Sequence, residues 1–223
     1  MDKRRYYKDP SVAGAYEDTR FATAAGRMTH ERELDAARAA FAPGEKLLEL
    51  ACGTGRLLRA LRAEGRAVIG VDQSAAMLEA GAPGGLADVH VGDVFALPFP
   101  DGAFDGAYCF RFTNHYADLS GFLRECSRVL RPGGRLVFDT MSWSPLLWDS
   151  ERWGGRNHPV SSGRVRAWLT QAGFAVEEER PLFPIGPYLL GRLPLPLARA
   201  ALACGALLPA GFSAVTAWRA RRL

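Results

Sequence analysis

Between residues 46 and 139 the chain alternates short β-type runs with segments of helical period, and that alternation leaves few folds open. Lys46–Leu50 (KLLEL), Ala67–Val71 (AVIGV), Val89–Val91, Phe104–Phe110 and Arg135–Asp139 (RLVFD) read as five strands. After the first, Leu57, Leu58 and Leu61 share one side of a helix that ends near Gly65. After the second, Ser74 is placed to cap a helix that carries Met77 and Leu78. Leu119, Phe122, Leu123, Cys126, Val129 and Leu130 mark an amphipathic helix, and Pro132-Gly133-Gly134 reads as the turn into the fifth strand. Strands separated by helices at this interval imply βαβ units: an α/β fold with a mostly parallel sheet and helices on both faces.

The flanks add helices over Val12–Phe21 and Thr29–Phe41 before the sheet, then a helix over Val165–Gly173 and a strand over Phe174–Glu178. A length of 223 residues suits one such domain with a substantial core.

Charge separates the two ends of the chain. The formal net charge is +4, yet all 24 acidic residues precede position 181. Residues 181–223 hold Arg192, Arg199, Arg219, Arg221 and Arg222 and no acid. The basic excess is local, which argues against a nucleic-acid surface spread over the protein. Cys52, Cys109, Cys126 and Cys204 show no CxxC pair and no histidine at zinc spacing, so no metal site is expected. Reduced thiols in a cytoplasmic protein are the better account. The N-terminal MDKRRYYKDP lacks the apolar stretch of a signal peptide. Residues 200–218 carry no charge and reach the length of a membrane span, but Gly205, Pro209, Gly211, Ser213 and Thr216 interrupt them. A buried helix followed by a strand is the favoured reading there.

The chemistry concentrates where strands end. The first strand runs into Glu49-Leu50-Ala51-Cys52-Gly53-Thr54-Gly55 and directly into a helix. Glycines there let a ligand lie against the backbone, and the helix N-terminus favours polar or anionic groups. A tight βα turn alone would account for them equally well. Asp72, ending the second strand, can accept from two ribose hydroxyls, and Asp93, just past the third, from an adenine amino group. Three such features at successive strand ends are hard to assign to helix caps, and that edge is where open α/β sheets bind ligands.

These residues resemble a known family. Glu49–Gly55, Val71-Asp72 followed by Ser74–Leu78, Gly92-Asp93-Val94, Leu97–Asp105 (LPFPDGAFD) and Phe122–Asp139 with Leu130-Arg-Pro-Gly-Gly134 look like the successive motifs of class I S-adenosylmethionine-dependent methyltransferases. Within it, the chain is most similar to small-molecule enzymes of the ubiquinone and menaquinone biosynthesis type. The resemblance covers roughly residues 45–140 and departs at Ala51, where many members have glycine.

It implies a Rossmann-like sheet of seven strands, mostly parallel with an antiparallel last strand, and S-adenosylmethionine as cofactor. Glu49, Ala51, Gly53, Gly55, Asp72, Gln73, Asp93, Val94 and Phe110 would form the cofactor site. Glu49 would orient the glycine turn or meet the methionine amino group, Asp72 would hold the ribose, and Asp93 with Val94 would frame the adenine. The lid would span 1–42, the cofactor core 43–140, and the substrate side 141–223. The last includes a C-terminal hairpin of Phe174–Glu178 and Phe212–Trp218 and an apolar insertion over 181–211.

His115, in the loop after the fourth strand, is the best candidate general base, and equally readable as a histidine that only packs. Asn114 and Tyr116 beside it, Tyr16 and Arg20 in the lid, and Trp143 and Trp148 are the candidate substrate contacts. The tryptophans read equally as core, and the acids and Arg20 of the lid as a solvated face. No Asn-Pro-Pro-Tyr motif follows the fourth strand, which argues against methylation of adenine or glutamine nitrogen. The expected function is methyl transfer to a small aromatic or apolar metabolite. An RNA or protein methyltransferase and a non-catalytic partner of the same fold are the alternatives. The C-terminal arginines read as the rim of an apolar lid that touches a membrane surface. Oligomeric state is left open.

Overall fold

The computed structural model describes residues 3–84, 87–142, 157–190, 192–205, 207, 209 and 212–223. Trp143 and Trp148 lie outside the described residues. Seven strands form one sheet: β1 Lys46–Leu50, β2 Ala67–Asp72, β3 Val89–Val91, β4 Phe104–Cys109, β5 Leu130–Met141, β6 Phe174–Phe183 and β7 Val215–Arg222. Their order is β3-β2-β1-β4-β5-β7-β6. The pairings among β1 to β5 are parallel, and β7 runs antiparallel to both neighbours. The chain builds outward from β1 through β2 to β3, then returns to place β4 on the other side of β1. That reversal opens a crevice at the carboxyl ends of β1 and β4.

Ten helices flank the sheet among the described residues: α1 Lys3–Tyr6, α2 Pro10–Gly14, α3 Tyr16–Phe21, α4 Ala24–Ala40, α5 Arg56–Ala63, α6 Ala75–Gly81, α7 Ser120–Val129, α8 Ser162–Gln171, α9 Pro187–Leu190 and α10 Leu195–Gly205. Strand alternation splits the core between the two faces. Leu48 and Leu50 point to α7 and α8, joining Phe122, Leu123, Cys126, Trp168 and Leu169. Leu47 points the other way, to Leu34, Ala37 and Phe41 of the α4 side and to Leu57, Leu58 and Leu61 of α5. Each of those buried leucines contributes roughly 2 kcal/mol of transfer free energy. Ser74 caps α6 as expected, its hydroxyl accepting from the Met77 N–H at 3.2 Å.

Several expected boundaries move. The single helix expected over Val12–Phe21 is two, because α2 starts earlier, at Pro10 in a first-turn position behind the Asp9 cap, and ends at Gly14. Helix α4 begins at Ala24, not Thr29: the Thr23 hydroxyl accepts the Gly26 N–H at 3.0 Å. A Cβ at Gly26 would lie 2.5 Å from the Arg20 carbonyl oxygen and from Phe21 Cα, so glycine lets α3 and α4 meet. The Pro132-Gly133-Gly134 turn is instead a bulge within β5, where the pairing shifts between Phe104/Leu130 and Gly106/Arg135.

The largest correction concerns the C-terminus. Strand β6 continues to Phe183, and β7 runs from Val215 to Arg222, rather than 212–218. The apolar insertion therefore starts after 183, later than the expected 181, and contains α9 and α10. Arg219 faces Glu177 and Glu178 at 3.3 and 3.2 Å, and Arg221 faces Glu177 at 3.3 Å. Arg222 donates to the Leu130 carbonyl. Three of the five C-terminal arginines are thus paired within the sheet, and only Arg192 and Arg199 belong to the insertion. Among the described residues, no helix is long and apolar enough to cross a membrane.

Candidate active site

A cleft opens at the carboxyl ends of β1, β2 and β4, the crevice left by the chain reversal. Its floor is the turn between β1 and α5. Gly53 and Gly55 have φ of +58° and +72°, the left-handed region that glycine enters without strain, and Gly55 ends the turn as the residue before α5. Ala51 shares that region at +52°, so alanine here carries backbone strain that a glycine would not. A Cβ at Gly53 would come within 3.1 Å of the Met77 methyl.

Asp72 holds this floor in place. One carboxylate oxygen accepts the Gly53 N–H at 2.8 Å, and the other accepts the Ser74 N–H at 2.8 Å. A carboxylate offers about four acceptor positions, so capacity remains for a diol. Burial pushes the Asp72 carboxyl up, against the pull of these two amides. Gln73, Ser74 and Met77 line the same wall, followed by Asp93 and the buried Val94. Asp93 makes its own turn, accepting the Phe95 N–H at 3.0 Å. Glu49 lies at the base of the cleft, largely buried, and accepts from the Tyr108 hydroxyl at 3.0 Å. Burial pushes its carboxyl up to about 7.

The opposite wall follows β4: Phe110, Arg111, Phe112, His115 and Tyr116. Phe112 and Tyr116 pack at 4.9 Å between ring centroids. His115 sits in a 3-10 turn, Thr113–His115, and stacks on Tyr7 with centroids 5.6 Å apart and planes 22° apart. Tyr7 belongs to the N-terminal segment, which crosses the cleft and is tied down. Its carbonyl accepts from the Ser74 hydroxyl at 2.7 Å, and Glu17 accepts from Arg59 at 2.7 Å. Burial pushes the Tyr7 hydroxyl up to about 12.

All nine expected cofactor residues except Gly55 line the cleft, and Gly55 shapes its floor. Tyr16, Tyr116 and His115 line it too. Arg20 is half-buried behind them, near Tyr7, Tyr16 and Arg111. Asn114 faces elsewhere: its side-chain amide donates to Asn157 at 2.7 Å and its backbone carbonyl accepts the His158 N–H at 2.9 Å. Sequence reasoning missed Tyr7, Thr54, Arg56, Arg111 and Phe112. Arg111 had one legible signal, a charged residue directly after an apolar strand. Tyr7 had none, since its place depends on how the N-terminus crosses the sheet.

Residues 48–138 match a family model described as a methyltransferase domain. The demethylmenaquinone methyltransferase of Corynebacterium kroppenstedtii is 42% identical over 95 residues, covering 43% of this chain and 41% of that protein. The malonyl-[acyl-carrier protein] O-methyltransferase of Erwinia pyrifoliae is 36% identical over 140 residues, covering 60% and 52%. The chain spans about half the length of the curated relatives it matches. A SAM-dependent methyltransferase of Thermotoga maritima superposes with a TM-score of 0.73 at 22% identity, covering 98% of this chain and all of that one. The geranyl diphosphate C-methyltransferase of Streptomyces coelicolor, solved with Mg2+, geranyl diphosphate and S-adenosyl-L-homocysteine, superposes at 0.65 with 21% identity, covering 88% and 80%. Those two likenesses are of fold.

Proposed function

We propose that this protein is a class I S-adenosylmethionine-dependent methyltransferase and transfers the methyl group to a small aromatic or apolar acceptor. The single observation that carries this reading is the lock between Asp72 and the glycine turn, at the reversal of the sheet and next to a wall of aromatic rings. A cradle of exposed backbone, a diol acceptor and an apolar wall is what a nucleoside thioether needs. When bound, S-adenosylmethionine supplies an electrophilic methyl carbon on a sulfonium whose sulfur departs as a neutral thioether.

The chain's own part is positioning. Asp72 with Gln73 holds the ribose, Asp93 and Val94 hold the base, and Gly53 lets the backbone lie close. Glu49, at the base of the cleft, is held in place by the Tyr108 hydroxyl. Phe110, Tyr16 and Tyr116 exclude water from the transfer end. His115 takes the proton of an acceptor hydroxyl or amine as the acceptor lone pair forms its bond to carbon. The relatives named for demethylmenaquinone and malonyl-[acyl-carrier protein] support an acceptor outside nucleic acid.

Four cysteines without disulfides, three of them buried, support a reducing cytoplasmic setting. The exposed Leu197, Leu207 and Phe212, with Arg192 and Arg199 in the same segment, support contact with an anionic membrane surface. Calorimetric titration with S-adenosylhomocysteine tests the central reading. Binding in the micromolar range is expected, and no binding at millimolar ligand would remove it.

A further inference from the structure

On the methyltransferase reading, the cleft divides at β1 into a nucleoside half and an acceptor half. Asp72, Gln73 and Asp93 follow β2 and β3 on one side, whereas Arg111 and His115 follow β4 on the other. Arg111 is the one residue of the acceptor wall with a left-handed backbone, φ +65°. It is held there by its own N–H, which donates to the buried Asp139 of β5 at 2.8 Å. A non-glycine residue kept in that region by its surroundings is a common sign of a placed functional side chain.

What the placement achieves is an underused guanidinium. Its Nη1 approaches Glu33 Oε1 of α4 at 3.9 Å, an ion pair too long for a hydrogen bond. It also lies over the Phe21 ring, 5.4 Å from the centroid. No hydrogen bond joins the guanidinium to another described residue. Glu33 is fully buried and already spends its other oxygen on Arg56. Glu33 Oε1 itself has no hydrogen-bond partner among the described residues. One carboxylate thus faces two arginines, and Arg20 stands near enough to repel Arg111. Burial and Glu33 push the Asp139 carboxyl up to about 7, so at neutral pH it supplies Arg111 with only part of a negative charge. Tyr7 and Tyr16 bring hydroxyls to the same end of the cleft.

We propose that Arg111 binds a carboxylate of the methyl acceptor, so that the substrate is an apolar or aromatic acid rather than a neutral metabolite. Planar guanidinium and planar carboxylate pair through two parallel hydrogen bonds, and a half-enclosed cleft strengthens the pair. The acid group on this wall anchors the acceptor with its nucleophile toward β1. The proposal rests on the methyltransferase reading and deepens it. The cofactor's own methionine carboxylate is the other source of the same chemistry.

Calorimetry on the full chain, with and without S-adenosylhomocysteine, separates these. Benzoate and octanoate are titrated against benzamide and octanamide. At least one acid is expected to bind tenfold or more tighter than its amide. Arg111→Gln should abolish that contrast, and Arg111→Lys, a point charge that cannot form the two parallel bonds, should retain only part of it, with unchanged melting showing that both variants fold. Equal binding of acids and amides by the wild-type chain overturns the proposal, as does an undiminished contrast in folded Arg111→Gln. A third result overturns it in favour of the cofactor: Arg111→Gln weakens S-adenosylhomocysteine tenfold while leaving 5′-methylthioadenosine, which lacks the carboxylate, unaffected. Failure of S-adenosylhomocysteine to bind the wild-type chain strikes the methyltransferase reading instead, and the acid–amide contrast is still read without it.

Discussion

The Asp72 carboxylate accepts the Gly53 N–H at 2.8 Å, so the acid ending β2 fixes the glycine turn ending β1. One side chain thereby sets both the floor of the cleft and the remaining acceptor positions that face a ligand. Replacing Asp72 with alanine leaves the Gly53 and Ser74 amides without their partner and removes the diol acceptor. Loss of at least tenfold in S-adenosylhomocysteine affinity is expected, with about 1–3 kcal/mol of stability. Titration and denaturant melts on the same variant read both, and unchanged affinity would show that the lock plays no part in binding.

Ala51 tests backbone strain in the same turn. At φ +52° an L-residue costs roughly 1–2 kcal/mol, while glycine costs roughly 0.5–1 kcal/mol in chain entropy. Ala51→Gly should therefore be neutral or stabilising by up to about 1 kcal/mol. Ala51→Val, β-branched, should destabilise by more than about 2 kcal/mol. Denaturant midpoints decide it, and a reversed order would contradict the strain.

His115 stacks on Tyr7 at the transfer end of the cleft. As the proton acceptor, its replacement by alanine should lower kcat about 100-fold or more, with S-adenosylhomocysteine affinity within about threefold. Steady-state kinetics on a hydroxyl or amine acceptor measure this. Unchanged turnover would leave the ring a packing role only.

Two buried carboxyls give the fold a pH signature. Burial raises Glu49 and Asp139 to about 7 in the folded chain, above their unfolded values. Between the unfolded values and pH 7 the folded state holds protons that the unfolded state has lost. Stability contributed by this excess is complete below about pH 4 and is lost as pH rises toward 7. A decline on the order of 2–3 kcal/mol per group is expected from pH 5 to 7. Glu49→Gln should flatten part of it, and a flat wild-type profile would refute the shifts.

The segment between β6 and β7 exposes Leu197 and Phe212. Substituting both with glutamate should reduce co-sedimentation with phosphatidylglycerol vesicles several-fold while leaving S-adenosylhomocysteine binding intact. Equal sedimentation would remove the membrane contact.

How far the sequence could be read depended on the range of the interactions involved. Glu49, Gly53, Asp72 and Asp93 were legible because each sits at a fixed offset from a strand whose pattern shows itself locally. Helix α4 starts five residues before the Thr29 that the apolar pattern suggests, because its start depends on the Thr23 cap and on Gly26 fitting against α3. Arg219, Arg221 and Arg222 read locally as lid residues because the acids that pair with Arg219 and Arg221, Glu177 and Glu178, are distant in sequence.

The sequence by itself determined the parallel sheet, the glycine turn and the acids at successive strand ends, since hydrophobic period and turn chemistry act over a few residues. Only the tertiary structure decided which side chains complete the cleft. Tyr7 reaches His115 from over a hundred positions away, and Arg111 is left facing the pocket because the buried Glu33 already serves Arg56. Those relations follow from chain reversal and shared burial, which no local pattern records.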